Sequence, residues 1–396
     1  MESLLVHLMI KRGLFRGHAG RQLGLHAAGL LTALTGMLAI SPLLPIVMKT
    51  FDVTASVTGA LVSLMWVCHA VVQYPAGRFA DQFSSLTALV ASEGVLVAGF
   101  TALVLADQFG VFALGVALIG MGYGGFEAAG LVHLGLLFDD GQGRAFGIRD
   151  AAVNAGSALS TLLAVSFIGY ASWEIAFAPI AGVLGVLIGL THWSTRTSHD
   201  AGWPDLDPVE RFRTVCNGSS VRLLLAVAAA AMLVWQGAAS FLPTFLHHTK
   251  GYTTVQAAYL FAALFGVGIV TTPAAGYLGD RWGHLRTAIV STSCGTVGLV
   301  ALTQVRTHPA VLGSIVLFAI GLTSFWPLLY TYLTGQFEQR HVGASLGILR
   351  TVFFAAGSLG PVLVGVVADG FGYTVSFWLL GALFASSGVG LAYVRE

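Results

Sequence analysis

Charged residues are scarce in this sequence. Only 9% of its 396 residues are Asp, Glu, Lys or Arg, whereas 56% are hydrophobic. A soluble domain usually has about a quarter of its residues charged, so this chain has too little charge to cover a surface that faces water. Apolar runs such as 223–235 recur along its length, and a helix needs about 20 apolar residues to cross a bilayer. The composition therefore predicts a protein with several transmembrane helices.

Several chemical signatures are absent as well. The three cysteines, Cys68, Cys216 and Cys294, are too widely spaced for a disulfide framework or a metal site. The sequence contains neither a G-x-x-x-x-G-K-[ST] loop nor an H-E-x-x-H motif, and it does not alternate as the strands of a membrane barrel would. We therefore expect an all-α polytopic membrane protein that has no cofactor or metal, is not an enzyme and does not bind nucleic acid.

Apolar runs between polar residues predict twelve transmembrane helices, with ends uncertain by a few residues. The one long polar stretch, 194–220, separates the first six from the last six. We expect an N-terminal bundle over 1–195, a central loop over 196–220 and a C-terminal bundle over 221–396. The predicted helices are 25–48, 54–79, 85–105, 110–137, 145–169, 173–193, 221–246, 253–278, 287–305, 309–334, 343–368 and 373–393.

The positive charges predict the orientation of these helices. With twelve spans, sixteen of the nineteen Lys and Arg residues fall on one side of the membrane, and only Lys49, Lys250 and Arg306 fall on the other. Loops on the cytoplasmic side carry the excess of Lys and Arg. We therefore expect a multi-pass protein of the plasma membrane with both termini and the central loop in the cytoplasm.

Two segments half a chain length apart resemble each other. GIRDAAVNAGSAL begins at Gly147 and GILRTVFFAAGSLG begins at Gly347, and their alignment pairs Arg149 with Arg350. Both halves would begin and end in the cytoplasm, so they are parallel repeats related by an axis along the membrane normal. The repeat predicts two pseudo-symmetric bundles of six helices.

A second repeated segment carries a family resemblance. PAAGYLGDRWGHLR, residues 273–286, fits the loop pattern G-x-L-[AGS]-D-R-x-G-R-[RK] closely, and YPAGRFADQFSS, residues 74–85, fits it only at Gly77, Ala80 and Asp81. On this motif and the repeat, the chain resembles the major facilitator superfamily over essentially its whole length. The resemblance implies a carrier whose two bundles rock around a central cavity.

The resemblance also implies a cytoplasmic gate. Each repeated Asp would end a helix near the N-terminus of a helix from the other half, where a carboxylate is stabilised by the positive helix end. A plain loop turn is the alternative for the Asp residues. The two paired arginines could instead grip an anion from both halves, although we prefer the gate. The predicted gate residues are Gly77, Asp81, Gly276, Asp280, Arg281, Arg286, Arg149, Asp150 and Arg350.

One acidic residue, Glu127, lies well inside the fourth predicted helix. The resemblance implies that the first, fourth, seventh and tenth helices line the cavity. Gly120, Tyr123 and Gly124 share a helix face with Glu127, and we expect this mostly small face to leave room for a ligand or water. Burial disfavours the charged form of a carboxylate, which suits a group that exchanges protons. A structural acid bonded to a neighbouring helix is the alternative.

Aromatic residues on the predicted cavity helices could form a stacking or cation–π wall, although they are also ordinary packing residues. Glu93, His69, His26 and His133 are expected to be structural, with Glu93 paired to a hydroxyl or to His69. The predicted candidates for substrate and proton binding are Glu127, Tyr123, Trp235, Gln236, Trp326 and Tyr330.

These observations predict a secondary transporter that works by alternating access, is coupled to protons and acts as a monomer in the bilayer. One hypothesis is export of lipophilic or cationic compounds by means of Glu127. It is favoured because no Lys or Arg lies near a predicted helix midpoint. The alternative is a porter of a small organic or inorganic anion, in uptake or exchange, that uses Arg149 and Arg350. A membrane-embedded enzyme or a receptor is a remote alternative.

Overall fold

A computed structural model describes residues 17–138, 142–167, 173–194, 202–204, 206, 212–213, 218–334 and 342–394. These residues form α-helices, one π-helical turn over Ala80–Ser84 and one 3-10 turn over Trp173–Phe177. The α-helices are α1 Gly17–Phe51, α2 Ala55–Phe79, α3 Ser85–Val104, α4 Phe109–Leu137, α5 Gln142–Phe167, α6 Ala178–Ser194, α7 Ser219–Lys250, α8 Thr254–Trp282, α9 His284–Gln304, α10 His308–Thr334, α11 Val342–Gly357, α12 Leu359–Phe371 and α13 Tyr373–Ala392.

In the part of the chain that the structure describes, every segment predicted as a transmembrane helix is helical. Among the described residues, ten helices are long and apolar enough to cross a membrane. Two of the twelve predicted spans are not counted separately. The π turn joins α2 and α3 into one continuous helical stretch, 55–104, which counts once, and α5 is not among the ten. Twelve crossings in two bundles of six stay a prediction, and most of the predicted central loop, 196–220, lies outside the described residues.

The two copies of the loop motif turn the chain differently. In the second copy, α8 ends at Trp282 and Gly283 adopts a φ of 92°, which turns the chain sharply into α9. A side chain would disfavour this conformation. The first copy has Ser84 at the matching position, with a φ of −149°, and the chain passes through the π turn instead. The missing glycine therefore explains why only the first copy is nearly continuous.

Glycines bring α2 and α4 into backbone contact. A Cβ atom at Gly120 would lie 2.1 Å from the carbonyl oxygen of Met65, and one at Gly124 would lie 2.3 Å from that of His69. Small residues of this kind allow close helix approach in membrane proteins. Our expectation that this face of α4 leaves room for a ligand is therefore wrong, because the backbone of α2 fills the space.

The first half of the chain, which ends at α6, contacts the second half, which begins at α7, near Asp369. Its carboxylate accepts hydrogen bonds from the backbone N–H groups of Ala55 and Ser56, at 3.1 and 2.8 Å, and from the Ser56 hydroxyl. The Ser41 hydroxyl of α1 contacts the Ala239 carbonyl of α7 at 2.6 Å.

A helix break strengthens the same junction. Pro361 has no N–H to donate to Gly357, the last residue of α11, so the helix cannot continue regularly through Ser358. The N–H of Val362 then donates across to the Ser63 hydroxyl of α2, at 2.9 Å. The break therefore supplies a backbone donor that joins α12 to the first half.

Candidate functional site

A buried carboxylate, Glu127 on α4, lies at the centre of a polar cluster. Its Oε1 accepts hydrogen bonds from Nη2 of Arg149, at 2.9 Å, and from Nη2 of Arg350, at 2.7 Å. Its Oε2 accepts one from Nε2 of Gln73, at 3.0 Å, and lies 3.3 Å from Nε2 of His69. Arg149 belongs to the first half of the chain and Arg350 to the second, so Glu127 connects the two halves through ion pairs.

The close packing of α2 on α4 determines which side chains reach Glu127. Gly124 lies against the backbone of His69, one helical turn before the carboxylate. His69 and Gln73 are four residues apart on α2 and therefore lie on the same face. The Gln73 amide nitrogen is 2.6 Å from Nε2 of His69, so it can donate one hydrogen to the imidazole and one to the carboxylate. Side chains of α2 thus bind Oε2 while the arginines bind Oε1.

Both arginines retain unused hydrogen-bond donors. Arg149 donates through Nη1 to Asp150, at 2.7 Å, and through Nη2 to Glu127. The Nε atoms of Arg149 and Arg350 are buried, and neither has a hydrogen-bond partner among the residues that the structure describes. Leaving a buried donor unpaired costs about 1–3 kcal/mol, so these donors suit a ligand that brings its own oxygen atoms.

The charges in the cluster do not balance within the buried region. The side chains of Arg149 and Glu127 are 7% and 9% exposed, and that of Arg350 is 21% exposed, whereas the side chain of Asp150 is 65% exposed. Solvent screens the Asp150 charge much more strongly than the buried charges. Two guanidinium groups therefore share one buried carboxylate, which favours the approach of a further negative charge.

Aromatic rings pack beside the arginine of the second half. The Arg350 guanidinium lies 5.7 Å from the centre of the Phe354 ring, which stacks on the His69 imidazole with centroids 5.1 Å apart. Phe353 packs against Trp326 and Tyr330 of α10, at 5.4 and 6.3 Å. Phe354 thus contacts the charged cluster, and Phe353 beside it in α11 contacts the aromatic residues of α10.

The remaining predicted binding residues contact neighbours of the cluster rather than Glu127 itself. Tyr123 is buried, with its ring 5.3 Å from the His69 imidazole. Trp235 of α7 meets Trp66 of α2 edge to face, at 5.6 Å. Gln236 is fully buried and donates to the Phe354 carbonyl at 3.4 Å. Gln236 therefore supports α11 rather than contacting Glu127 directly.

The predicted gate residues are divided between two places. Sequence reasoning assigned Arg149 and Arg350 to the gate, whereas the structure places both guanidinium groups on Glu127. The Asp280 side chain, near the end of α8, is 76% exposed and lies 3.4 Å from Nε2 of His284, the first residue of α9. Arg281 covers the Tyr277 ring at 4.7 Å.

The other members of the predicted gate lie at exposed or partly exposed positions. Asp81 and Arg286 are exposed, Gly276 has no atom within 4 Å of an added Cβ, and Gly77 is 4.0 Å from the Ala128 methyl group by the same measure. A gate formed by Asp81 and Asp280 in another conformation stays a prediction.

Other buried ionisable residues lie outside the cluster. Glu93 of α3 is 1% exposed and forms a hydrogen bond with the Thr191 hydroxyl. A hydroxyl was one of its two expected partners; the other, His69, contacts Glu127 instead. His133 contacts the Ser85 hydroxyl at 2.9 Å, and His26 packs on a phenylalanine ring. The described residues contain no group of three His, Cys, Asp or Glu side chains suited to a metal ion.

Sequence reasoning missed two groups of residues at this site. Gln73 is predicted to share a helix face with His69 and Trp66 but not to bind substrate or protons, because an amide on an apolar helix gives no pattern of its own. Phe353 and Phe354 follow Arg350 by three and four residues, a helical spacing that places them on the arginine's face. The first copy of the repeat has Ala152 and Val153 at the matching positions after Arg149, so a comparison of the two copies could have identified the aromatic pair.

Comparison with known proteins adds a family to this geometry. The family model described as Major Facilitator Superfamily matches residues 26–306 and 256–396. An uncharacterized MFS-type transporter of Bacillus subtilis, YwfA, is 27% identical over 386 residues, which cover 89% of this chain and 85% of that protein. The fosmidomycin resistance protein of Escherichia coli is 25% identical over 344 residues, covering 84% and 82%.

Two further matches are a curated relative and a solved structure. A probable sulfoacetate transporter of Cupriavidus necator is 24% identical over 401 residues, covering 90% of this chain and 89% of that protein. The crystal structure of a bacterial homologue of the human lysosomal transporter Spinster, inward-facing and occupied, superposes with a TM-score of 0.79. It is 16% identical and the match covers 94% of this chain and 96% of that chain, so it supports the fold alone.

Proposed function

Because the chain belongs to the Major Facilitator Superfamily, we propose that it carries a small anion across the plasma membrane by alternating access, with Arg149 and Arg350 as the binding groups. It is a multi-pass membrane transporter and not an enzyme. In the proposed cycle, Glu127 occupies the two arginines when no anion is bound, and it takes up a proton when an anion replaces it. The cytoplasmic termini and the monomeric state belong to the same proposal.

The observation that carries this proposal is the convergence of two buried guanidinium groups, one from each half, on one carboxylate oxygen. Planar guanidinium groups bind carboxylates and other oxyanions through paired N–H donors. A bound anion can occupy the donors that Glu127 now uses, together with the buried Nε donors that lack partners among the described residues. An anion held from both sides would also stabilise one arrangement of the halves over another, which alternating access requires.

Proton coupling follows from competition for the same donors. Ionised Glu127 uses Nη2 of both arginines, so an incoming anion must displace it. The displaced carboxylate would then lie buried beside a second negative charge, which favours its protonation. Anion and proton therefore bind together, and the charge of the buried site stays the same when a monovalent anion arrives.

The printed name of one relative supports the same class of cargo. Sulfoacetate, which the Cupriavidus necator protein is named for, is an organic anion. Export of lipophilic or cationic compounds is the other function predicted from the sequence, and the name of the Escherichia coli fosmidomycin resistance protein does not favour it, because fosmidomycin is a phosphonate and thus an anion. A cation would need a free carboxylate oxygen, whereas both oxygens of Glu127 already accept hydrogen bonds. We therefore rank export of cations second.

A ligand screen of the purified protein tests the anion class. We expect small carboxylates and sulfonates to raise the unfolding temperature of the wild type, because a ligand at 100 times its Kd stabilises the folded state by about 2.7 kcal/mol. Lipophilic cations at the same concentrations should have no effect. The screen is repeated on Glu127→Gln, in which the arginines face a neutral side chain, and anion stabilisation should persist there.

The opposite pattern would support the exporter. Stabilisation by lipophilic cations that disappears in Glu127→Gln would identify Glu127 as a counter-ion for cations and would overturn the anion proposal. Chloride at matched ionic strength serves as the control for screening of surface charges.

A further inference from the structure

We infer that the cargo anion carries an aromatic ring, which binds between partly exposed aromatic side chains next to Arg350. This inference rests on the proposed anion transport and names the substrate class of the same site. The aromatic residues belong to α7, α10 and α11, and the buried charges of the cluster hold only the anionic end of the cargo. The rest of the cargo must then lie against the surrounding rings.

One wall of this subsite lies on the His69 side of Arg350. Phe354 is only partly buried, although it stacks on His69 with an interplanar angle of 14° and also lies 6.3 Å from Trp66. Trp235 is likewise partly buried and packs edge to face on Trp66. Both rings therefore combine one face or edge fixed by packing with surface that a ligand ring can cover.

The other wall lies on α10. Trp326 and Tyr330 are partly buried, and their rings are 6.0 Å apart, whereas Phe353, which packs against both rings, is 1% exposed. Rings that are fixed by neighbours but keep exposed surface are pre-organised for stacking, because little side-chain freedom is lost on binding.

The charge next to these rings also favours an aromatic partner over an aliphatic one. Arg350 lies over the Phe354 ring, and a guanidinium group attracts the negative face of a second ring as well. Aromatic pairs gain stabilisation beyond their buried area when they stack with an offset or meet edge to face. An aliphatic group of equal size would gain only from burial.

Three carboxylates of graded chemistry test this inference by titration calorimetry on the purified full-length protein. Acetate has no ring, cyclohexanecarboxylate has an aliphatic ring, and benzoate has an aromatic ring of similar size. We expect benzoate to bind about 2- to 12-fold more tightly than cyclohexanecarboxylate, which is the range that aromatic pairing supplies. Acetate should bind more weakly than both. In Trp326→Leu and Phe354→Leu the ratio of the affinities for benzoate and cyclohexanecarboxylate should fall towards one.

The outcomes separate this inference from the proposed function. If all three carboxylates bind equally, or cyclohexanecarboxylate binds as tightly as benzoate, the aromatic subsite is wrong and anion transport stands. If none of the three binds and other anions also fail, both proposals are wrong. Trp193→Leu is the matched control, since Trp193 is an exposed tryptophan on α6, and it should leave the benzoate preference intact.

Discussion

Replacing Arg350 with glutamine should weaken anion binding by at least about 30-fold, because removing one partner of a buried, hydrogen-bonded charge pair costs about 2–5 kcal/mol. Arg350 supplies the only hydrogen bond from the second half to Glu127 among the described residues. Without it, the anion is held from one half alone, and the site no longer favours one arrangement of the halves. Titration calorimetry with the tightest anion from the ligand screen measures the loss of affinity.

A control variant and a conservative variant accompany this measurement. Arg281→Gln removes an exposed arginine that lies over the Tyr277 ring, and it should bind the anion as the wild type does. Arg350→Lys keeps the charge but loses the planar pair of donors, so its affinity should fall between those of the wild type and Arg350→Gln. Wild-type affinity in a folded Arg350→Gln variant would show that the anion binds elsewhere.

The second large effect concerns the pH dependence of transport. Wild-type affinity for the anion should rise as the pH falls, by up to tenfold per pH unit when one proton is taken up with each anion. Glu127→Gln mimics the protonated acid, so it should keep high affinity at pH 8 and lose the pH dependence. Uptake into proteoliposomes, measured with and without a pH gradient, should respond to the gradient only in the wild type.

Glu93→Gln is the matched control for this experiment. Glu93 is another buried acid of the first half, but it pairs with Thr191 and not with an arginine. Its replacement should leave the response to the pH gradient unchanged. If Glu127→Gln still accumulates the anion in response to a pH gradient, Glu127 does not couple protons to transport.

Much of the fold could be predicted from the sequence, because helices in a bilayer must be long, apolar and internally hydrogen-bonded. The ends of α2 and α4 differ from the predicted ends by at most one residue. The largest differences occur where helices continue beyond the apolar run. The start of α1, residues 17–24, is one such case. The predicted start was read from the apolar run, and these residues are helical although they precede that run.

The site was harder to predict because it depends on which helix faces meet. Glu127 and both arginines were identified from their scarcity and from the repeat. Their direct contact was not, because neither arginine lies near the predicted midpoint of its helix and the side chains reach Glu127 by their length. The Gly124 contact with His69 brings Gln73 to the carboxylate. Gly120 and Gly124 are spaced as in a G-x-x-x-G pattern, which indicates a close helix contact, but the sequence does not show which helix packs there.

The most direct test of the account is a count of protons taken up when the anion binds. Calorimetric titrations of the wild type at pH 7, in buffers with different ionisation enthalpies, give this number. If Glu127 yields both arginines to the anion and is protonated, about one proton is taken up per anion bound, and none is taken up in Glu127→Gln. Tight anion binding by the wild type without proton uptake would contradict the exchange of Glu127 for the anion.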